Sequence, residues 1–405
     1  MKQQFDVIIV GARVAGSSLA ILLGRMGKRV LLLDKASFPS DTLSTHHLSN
    51  VHYLEQLGVL DEVEASGLRK IKRMRTYIGD SFVEGPRHSY TLIPRRDLLD
   101  HVLLQKATSF PDVELREGYQ AVGLLKDEGR VTGVEAVDEK GDRHQLRSAL
   151  VIGADGRNSQ IAKWAEAEVY GEHSAVRPVF YGYYHHVRPL IEPTTEIFLN
   201  EGRIGFLFPM EPGMDCLGLE ILPDEFQEFA KNPHLFEKTF KQFYGMKERL
   251  DGAVLQGKII GTTGVPNFFR QTGGRGWALV GDAGHSKDPS TGLGINDALM
   301  QAFQLVDAIQ SWEEGTDWEE ALQAFQKRRD EKLGPGYRLT LDYIQTRRAW
   351  TNNEQALFQA MAANPMVWNK VVPHLPGLLK EHSKGIPELY GSAEHEAVNF
   401  GFQYS

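Results

Sequence analysis

The residues that decide the fold are Phe5-Asp6-Val7-Ile8-Ile9-Val10-Gly11-Ala12-Arg13-Val14-Ala15-Gly16 and, further on, Arg29-Val30-Leu31-Leu32-Leu33-Asp34. A β-branched apolar run stops at a glycine, residues 14–26 carry apolar side chains at helical spacing, and a second apolar run ends in an acid. That is a βαβ unit. Its first turn suits a dinucleotide: glycines let backbone approach a pyrophosphate, and the helix N-terminus supplies free N–H donors and the positive end of the helix dipole. Arg13 stands where the middle glycine of such a turn belongs, so its side chain must point away from the phosphates or bridge to them. An ordinary strand–helix turn would carry the same glycines. Asp34 favours the dinucleotide, because it falls about 20 residues past them, where a carboxylate accepts from ribose hydroxyls.

Two later segments repeat the theme. Residues 148–154 (SALVIGA) read as a fully buried strand running into Asp155-Gly156 and a helix. Residues 277–280 read as another, entering Gly281-Asp282-Ala283-Gly284-His285 and then Pro289-Ser290-Thr291-Gly292-Leu293-Gly294-Ile295-Asn296 at the head of a helix over 294–309. Residues 113–143 alternate around turns at Glu128-Gly129 and Lys140-Gly141, as accessory antiparallel strands do. Residues 77–90 are polar and broken, whereas 96–104 show helical spacing. From about 178 to 264 the chain turns to aromatic, strand-like runs and a polar helical stretch over 225–240, interrupted at Pro233. Beyond about 315 it reads as helices, with breaks expected at Gly334-Pro335-Gly336, Asn364-Pro365, Pro373 and Pro376. The fold class is therefore α/β. A discontinuous Rossmann-type domain (1–75, 96–177 and 265–314) carries a second domain with an antiparallel sheet (76–95 and 178–264) and a C-terminal helical region (315–405).

The totals narrow the function. A chain of 405 residues exceeds one comfortable core. Its 45 basic against 53 acidic residues leave a formal charge of −8, which gives a nucleic-acid backbone no support. Cys216 is the sole cysteine, excluding an internal disulfide, a CxxC redox pair and a multi-thiolate metal site. No metal is expected. No uncharged run reaches the roughly 18 residues of a membrane span, and Arg13, Arg25, Lys28 and Arg29, without a small-residue cleavage pattern, argue against a signal peptide. A cytoplasmic protein is the expectation.

In this order and at these separations, the three segments resemble the flavin-dependent aromatic hydroxylases of the p-hydroxybenzoate hydroxylase type and their relatives, the geranylgeranyl reductases and flavin-dependent halogenases. The resemblance implies non-covalent FAD. By it, Gly11, Ala15 and Gly16 would line the pyrophosphate, with Arg13 beside them, and Asp34 the adenosine ribose. Asp282 looks like the acid that holds the ribityl chain, and Asp155-Gly156 like the turn supporting FAD and reductant. Arg96 resembles the helix-start arginine that meets the cofactor, a place Arg95 could fill instead. Pro289, Gly292, Gly294, Ile295 and Asn296 fall in the loop and helix start beneath the isoalloxazine ring, where backbone donors of Gly294 and Ile295 would stabilise negative charge. The segment 38–46 occupies the place where such chains pass alongside the flavin. Lys35, Ser44, Thr45 and Val122 complete the cofactor-contacting set that the resemblance implies.

No second GxGxxG follows a strand, so the resemblance implies an NAD(P)H that docks transiently without a domain of its own. The implied reaction is monooxygenation of a small organic molecule, aromatic or polyketide-like, with NAD(P)H and molecular oxygen, through a flavin C4a-(hydro)peroxide and by hydroxylation or epoxidation. Strand alternation puts Tyr181, Tyr183 and His185 on one sheet face and Tyr184 and His186 on the other. Tyr183, His185 and His46 are the candidate proton-transfer groups; packed aromatics and backbone-bonded histidines are the plainer reading. His285 is a further flavin-proximal candidate. The basic run Arg69, Lys70, Lys72, Arg73, Arg75 would suit NADPH phosphates or, more plainly, a solvated edge. Rival readings are a prenyl double-bond reductase, whose Tyr-x-Trp-x-Phe-Pro motif Ile204–Pro209 matches in part, and a non-catalytic flavin-binding protein. A halogenase would need Trp-x-Trp-x-Ile-Pro, and no tryptophan occurs between Trp164 and Trp277. Arg347, Arg348 and Trp350 could cap the substrate cavity or form a dimer face; the oligomeric state is left open.

Overall fold

The computed structural model describes residues 5–42, 44–174, 177–200, 202–345 and 351–364. Pro365, Pro373, Pro376, Arg347, Arg348 and Trp350 lie outside them.

The first sheet is eight-stranded. Its backbone is a parallel array in the spatial order Trp277–Leu279, Arg143–Gly153, Phe5–Val10, Val30–Leu33, Val113–Arg116. Strand Arg143–Gly153 serves twice. Its first half pairs antiparallel with Arg130–Val137, and its second half enters the parallel array beside Phe5–Val10. Parallel strands are covered on both faces, which is why Ile8, Ile9, Leu31, Leu32, Val151 and Ile152 are all buried without alternation. Helices Val14–Arg25, Arg96–Thr108 and Gly294–Glu313 close one face around Leu19, Leu23, Leu99, Leu103, Leu299 and Leu305. The hairpin Gln120–Val137 and helix Gln160–Trp164 close the other through Val134, Ala136, Leu146 and Ile161.

The second sheet has seven strands, ordered Val254–Thr262, Val179–His185, Met214–Glu220, Arg203–Pro209, Thr194–Asn200, Ile71–Ile78, Ser81–Thr91. All neighbours are antiparallel except Thr194–Asn200 with Ile71–Ile78, which run parallel. One face packs Phe198, Leu217 and Leu219 against Phe236 and Phe240 of short helices, broken at Pro233, and against Phe243 in the turn that follows. The opposite, inner face carries Tyr181, Tyr183, Ile197, Phe206, Phe208 and Met214 and meets helix Asn352–Ala362 through Phe358.

Three expectations change. The polar stretch 77–90 is not broken: Ile71–Ile78 and Ser81–Thr91 form an edge hairpin, and their polarity comes from Arg73 and Arg75, which bond Glu84 across it. A domain boundary between 75 and 76 falls inside the first of these strands, and we propose that the division lies near residue 70. The third change concerns the C-terminal region. Helix Trp318–Ile344 runs unbroken through Gly334-Pro335-Gly336. Phe325, Arg329, Leu333, Tyr337 and Thr340 are all buried along one side, and Tyr337 donates to the Gly171 carbonyl at 2.6 Å. Tertiary anchoring on both sides of the proline overrides its local cost. Gly336 also has a packing reason, since a Cβ there would stand 3.0 Å from Leu293.

Candidate active site

The first glycine turn is built for close approach. Gly11 has φ +106, and a Cβ on it would lie 2.3 Å from the Ala154 carbonyl oxygen; a Cβ on Gly16 would lie 1.8 Å from the Gly11 carbonyl oxygen. Side chains are thus excluded at both ends of the turn, while Ala15 and Val14 stay buried. The Asp34 carboxylate accepts from Ala12 N at 2.8 Å and Ala36 N at 2.9 Å, one per oxygen, which leaves lone pairs on both for a ribose. Lys35 beside it is exposed. Tyr119 N donates to the Asp34 carbonyl, bringing strand Gln120–Asp127 alongside. The ladder of that strand slips between Ala121 and Gly123, so Val122 sits at a bulge with its backbone out of register.

Arg13 takes the bridging option. Its guanidinium donates to Asp100 Oδ2 at 2.7 Å, Ser40 Oγ at 3.1 Å and the Ser40 and Asp41 carbonyls. Arg96 donates to both Asp100 oxygens, at 2.9 and 3.0 Å. Asp100, fully buried between two arginines, therefore ties the glycine turn, the segment 40–41 and the head of helix Arg96–Thr108 together.

Asp282 lies in the single turn Gly281–Ala283 that follows strand Trp277–Leu279. Its surface is exposed, yet surrounding protein raises its carboxyl above the usual range, with Arg96, Arg157 and Lys287 opposing that rise. Lys287 is paired with Asp297. Gly294, also exposed, opens helix Gly294–Glu313, and neither its N–H nor that of Ile295 has an acceptor among the described residues. Pro289–Thr291 is a single turn capped by Asp288, whose Oδ1 accepts from Ser290 N at 3.0 Å, and Gly292 adopts φ +63. Asn296 faces inward: it donates to Ser49 Oγ at 2.5 Å and accepts from Asn50 N at 3.3 Å, clamping the segment 44–50 onto the helix start. Asp155 caps helix Gln160–Trp164 through Ser159 Oγ and Gln160 N, with Gly156 at φ +80 completing its turn.

These residues fit FAD. Two glycines that admit no Cβ, a ribose-ready carboxylate, an exposed carboxylate at Asp282 and helix-start donors without an acceptor are the groups that a dinucleotide flavin requires.

The segment 44–47 joins the Gly292 turn to the inner face of the second sheet. Ser44 Oγ accepts from His46 N at 3.0 Å, and Thr45 beside it is half-buried. His46 Nε2 and the Tyr183 hydroxyl are 2.7 Å apart. His46 Nδ1 is buried without a hydrogen-bond partner among the described residues, and which of Nε2 and the Tyr183 hydroxyl donates depends on the tautomer. Burial, with Arg96 and Arg95 adding to it, pushes His46 down to about 3; burial also pushes the Tyr183 phenol up. Both are neutral. Arg95 stacks over the Tyr183 ring at 5.0 Å and bonds Asp97, whereas Arg96 pairs with Asp100 and acts on Asp282. The next residue, His47, points the other way: Nδ1 donates to the Gly292 carbonyl at 3.1 Å, and Nε2 lies 3.4 Å from Arg87 Nη2.

Other candidates fall away from this junction. His185 sits at the far end of its strand and donates to the Gly213 carbonyl at 3.1 Å, so alternation placed its face correctly but not its distance along the strand. His285 stacks on Phe269 at 4.1 Å and bonds the Phe268 carbonyl, a core position under Tyr337. In the basic run, Lys70 pairs with Glu64, Arg73 and Arg75 with Glu84, and Arg69 lies 3.8 Å from Asp215. Sequence reasoning missed Asp100, His47 and Arg87. The doublet His46-His47 was the available signal; nothing local marks the other two.

Known proteins share both sequence and architecture with this chain. A 1H-pyrrole-2-carbonyl-[peptidyl-carrier protein] brominase of Pseudoalteromonas luteoviolacea is 26% identical over 80% of this chain and 81% of its own length. A digeranylgeranylglycerophospholipid reductase of Methanopyrus kandleri is 28% identical over 93% and 98%. Among solved structures, a flavin-dependent brominase superposes with TM-score 0.77 at 22% identity, covering 92% of this chain and 93% of that one. The p-nitrophenol 4-monooxygenase of Pseudomonas putida does so with 0.76 at 17%, covering 94% and 99%. These structural likenesses share the fold: a parallel FAD-binding sheet, a second sheet and C-terminal helices. The FAD binding domain family matches residues 4–332, and this chain belongs to it as an FAD-dependent oxidoreductase.

Proposed function

We propose that the protein is a monooxygenase that uses NAD(P)H and molecular oxygen to hydroxylate or epoxidise a small aromatic or polyketide-like molecule held between the flavin and the inner face of the second sheet. FAD supplies the redox and oxygen chemistry when bound. The chain's own residues orient and insulate. Gly11, Arg13, Ala15 and Gly16 hold the pyrophosphate end, with Asp34, Lys35 and Val122 at the adenosine. Arg96, Asp282 and the segment at Ser44 and Thr45 hold the middle. The loop from Pro289 through Gly292, with the helix start at Gly294, Ile295 and Asn296, offers N–H donors to charge on the ring edge. Asp155 and Gly156 keep the adjoining turn in shape.

The observation that carries this reading is the His46–Tyr183 pair on a face otherwise built of Phe206, Phe208 and Tyr181. The Tyr183 hydroxyl, held by the neutral His46 imidazole, can orient a substrate hydroxyl by hydrogen bonding, and a proton passed on to His46 would leave an imidazolium paired with the substrate oxyanion. Aromatic walls exclude water from the reacting face.

A second reading, reduction of prenyl double bonds, draws on the digeranylgeranylglycerophospholipid reductases among the relatives, which are 26–28% identical over 74–93% of this chain. A long apolar chain would leave His46, Tyr183 and Arg87 without use on that face, so this reading ranks second. The test is anaerobic reduction of the FAD-loaded protein by NADPH or NADH, followed by rapid mixing with oxygen. A transient near-ultraviolet absorbance before reoxidation supports oxygen transfer. Direct reoxidation without it, together with saturation of a prenyl acceptor under anaerobic conditions, supports the reductase.

A further inference from the structure

Two carboxyl groups meet in the interior where the second sheet touches the loop at Pro289. Glu220 ends strand Met214–Glu220 on its inner face, in alternation with Met214 and Cys216, and the residues opposite it on the neighbouring strands are the apolar Val179 and Ile204. Asp288 precedes Pro289; its N–H donates to Asn267 Oδ1 at 2.8 Å, and its Oδ1 accepts from Ser290 N at 3.0 Å. Glu220 is 0% exposed and Asp288 1%. No donor among the described residues reaches either Glu220 oxygen or Asp288 Oδ2, yet the two carboxyl groups lie within hydrogen-bonding reach of each other.

Two carboxylates cannot share a hydrogen bond, because both only accept; a carboxyl group and a carboxylate can. Charge gives the same count. The cation acting on both is Arg177, buried and bonded through Nε to the Ile344 carbonyl at 3.1 Å and through Nη1 to the Gly202 carbonyl at 2.7 Å. Lys287, beside Asp288 in the sequence, is spent on Asp297. One arginine against two carboxylates leaves a buried negative charge, which a single proton cancels. Glu220 is the place for that proton, since it has no donor of its own whereas Asp288 keeps the Ser290 N–H. Burial, with Asp288 adding to it, raises Glu220 well above the carboxylate range against the pull of Arg177; burial also raises Asp288, opposed by the Ser290 N–H and by Glu220.

We propose that Glu220 is a positioning residue: protonated, it donates a hydrogen bond to Asp288 and so fastens the turn Pro289–Thr291 and Gly292 to the inner face of the second sheet. One buried proton then sets the spacing between the loop assigned to the flavin ring and the sheet assigned to the substrate.

Three measurements on FAD-loaded protein test this. The infrared difference spectrum of wild type minus Glu220→Gln at neutral pH is expected to show the carbonyl band of a protonated carboxylic acid, shifted in deuterium oxide; carboxylate bands alone overturn the proposal. The glutamine amide can donate to Asp288 in the same place without titrating. Above 4.5, the ordinary glutamate value, the unfolded chain releases the Glu220 proton while the folded protein keeps it, so wild-type stability falls with rising pH by a step that the variant lacks. At saturating FAD the ratio of unfolding constants, wild type over variant, should rise about ten-fold between about pH 5 and 6, and a constant ratio overturns the shared proton. Glu220→Gln should bind FAD within about two-fold of the wild type and Glu220→Leu, which leaves Asp288 without its donor, about ten-fold more weakly. A leucine variant as tight as the wild type, or a glutamine variant as weak as the leucine one, overturns the positioning role; where the leucine variant does not fold, the glutamine variant decides. Only this last arm rests on the loop being the flavin loop, so a failure of that assignment and a failure of the shared proton are read separately.

Discussion

Replacing Gly16 with alanine should reverse the usual sign of a glycine-to-alanine change in a helix. In a helix interior the substitution ordinarily gains about 1 kcal/mol. Here the new methyl would stand 1.8 Å from the Gly11 carbonyl oxygen and 3.0 Å from its carbon, both backbone, so the turn or the helix start must retreat by about 1 Å. Overpacking of this kind costs about 1–3 kcal/mol, which cancels or exceeds the helical gain. The cofactor suffers more. A retreat on this scale takes helix-start N–H groups out of reach of the pyrophosphate, and a hydrogen bond to a charged group is worth about 1.5–3 kcal/mol. Loss of one or two predicts FAD binding weaker by about 100-fold. Gly24→Ala, in the same helix, is the control: its methyl meets only the Phe110 side chain, at 2.8–3.0 Å, and no backbone of the glycine turn, so any loss of stability there leaves the pyrophosphate donors in place. FAD dissociation constants from flavin fluorescence, with melting curves of both apoproteins, make the comparison. If Gly16→Ala binds FAD as tightly as the wild type, the cradle is misassigned.

Asp100→Asn should destabilise the protein by about 3–5 kcal/mol, because Arg13 and Arg96 would share no anion; a melting temperature within a degree of the wild type would show the network to be incidental. Tyr183→Phe should leave FAD affinity unchanged and lower substrate-coupled NAD(P)H oxidation about 10²–10⁴-fold if the phenol relays a proton, and an unaffected rate removes it from the chemistry. Acid should expose the buried histidines. His46 and His47 sit at about 3 when folded and near 6.5 when unfolded, so the unfolded chain binds more protons between those values. Stability therefore falls as pH drops through 6.5, by about 2 kcal/mol per histidine at pH 5. Asp215, raised to about 6 by burial, acts in the opposite sense over part of that window. His47→Gln should flatten the slope of denaturant stability against pH by up to one proton, and an unchanged slope would place His47 in solvent.

How much of this was legible in the sequence depends on the range of the interactions. The glycine turn, Asp34 and the strand ending before Asp282 were readable because strand, turn and helix follow one another within about 30 residues and obey local rules. The helix over 318–344 was not, since what holds it across Pro335 is Tyr337 on Gly171 and Thr340 on Thr291, contacts invisible to propensity. The edge hairpin 71–91 was hidden by its own ion pairs, which make a strand look like a loop. In the site, residue type alone drew attention to three ring side chains. Only the register of Val179–His185 against the flavin segment separates Tyr183, 2.7 Å from His46, from His185, two residues along and spent on Gly213. Asp100, His47 and Arg87 become meaningful only when segments 87, 108 and 40 residues apart are brought together. Such pairings carry no local signature.

We propose that FAD lies along one path from the Gly11–Gly16 turn to the Gly294 helix start, with its ring beside the face that carries His46 and Tyr183. A crystal structure of the FAD complex tests it most directly. The pyrophosphate is expected over Gly11–Gly16, the ribityl chain beside Asp282, the ring edge at the N–H groups of Gly294 and Ile295, and Tyr183 on the open side of the ring. An isoalloxazine ring turned away from the second sheet, or a pyrophosphate seated elsewhere, would contradict it.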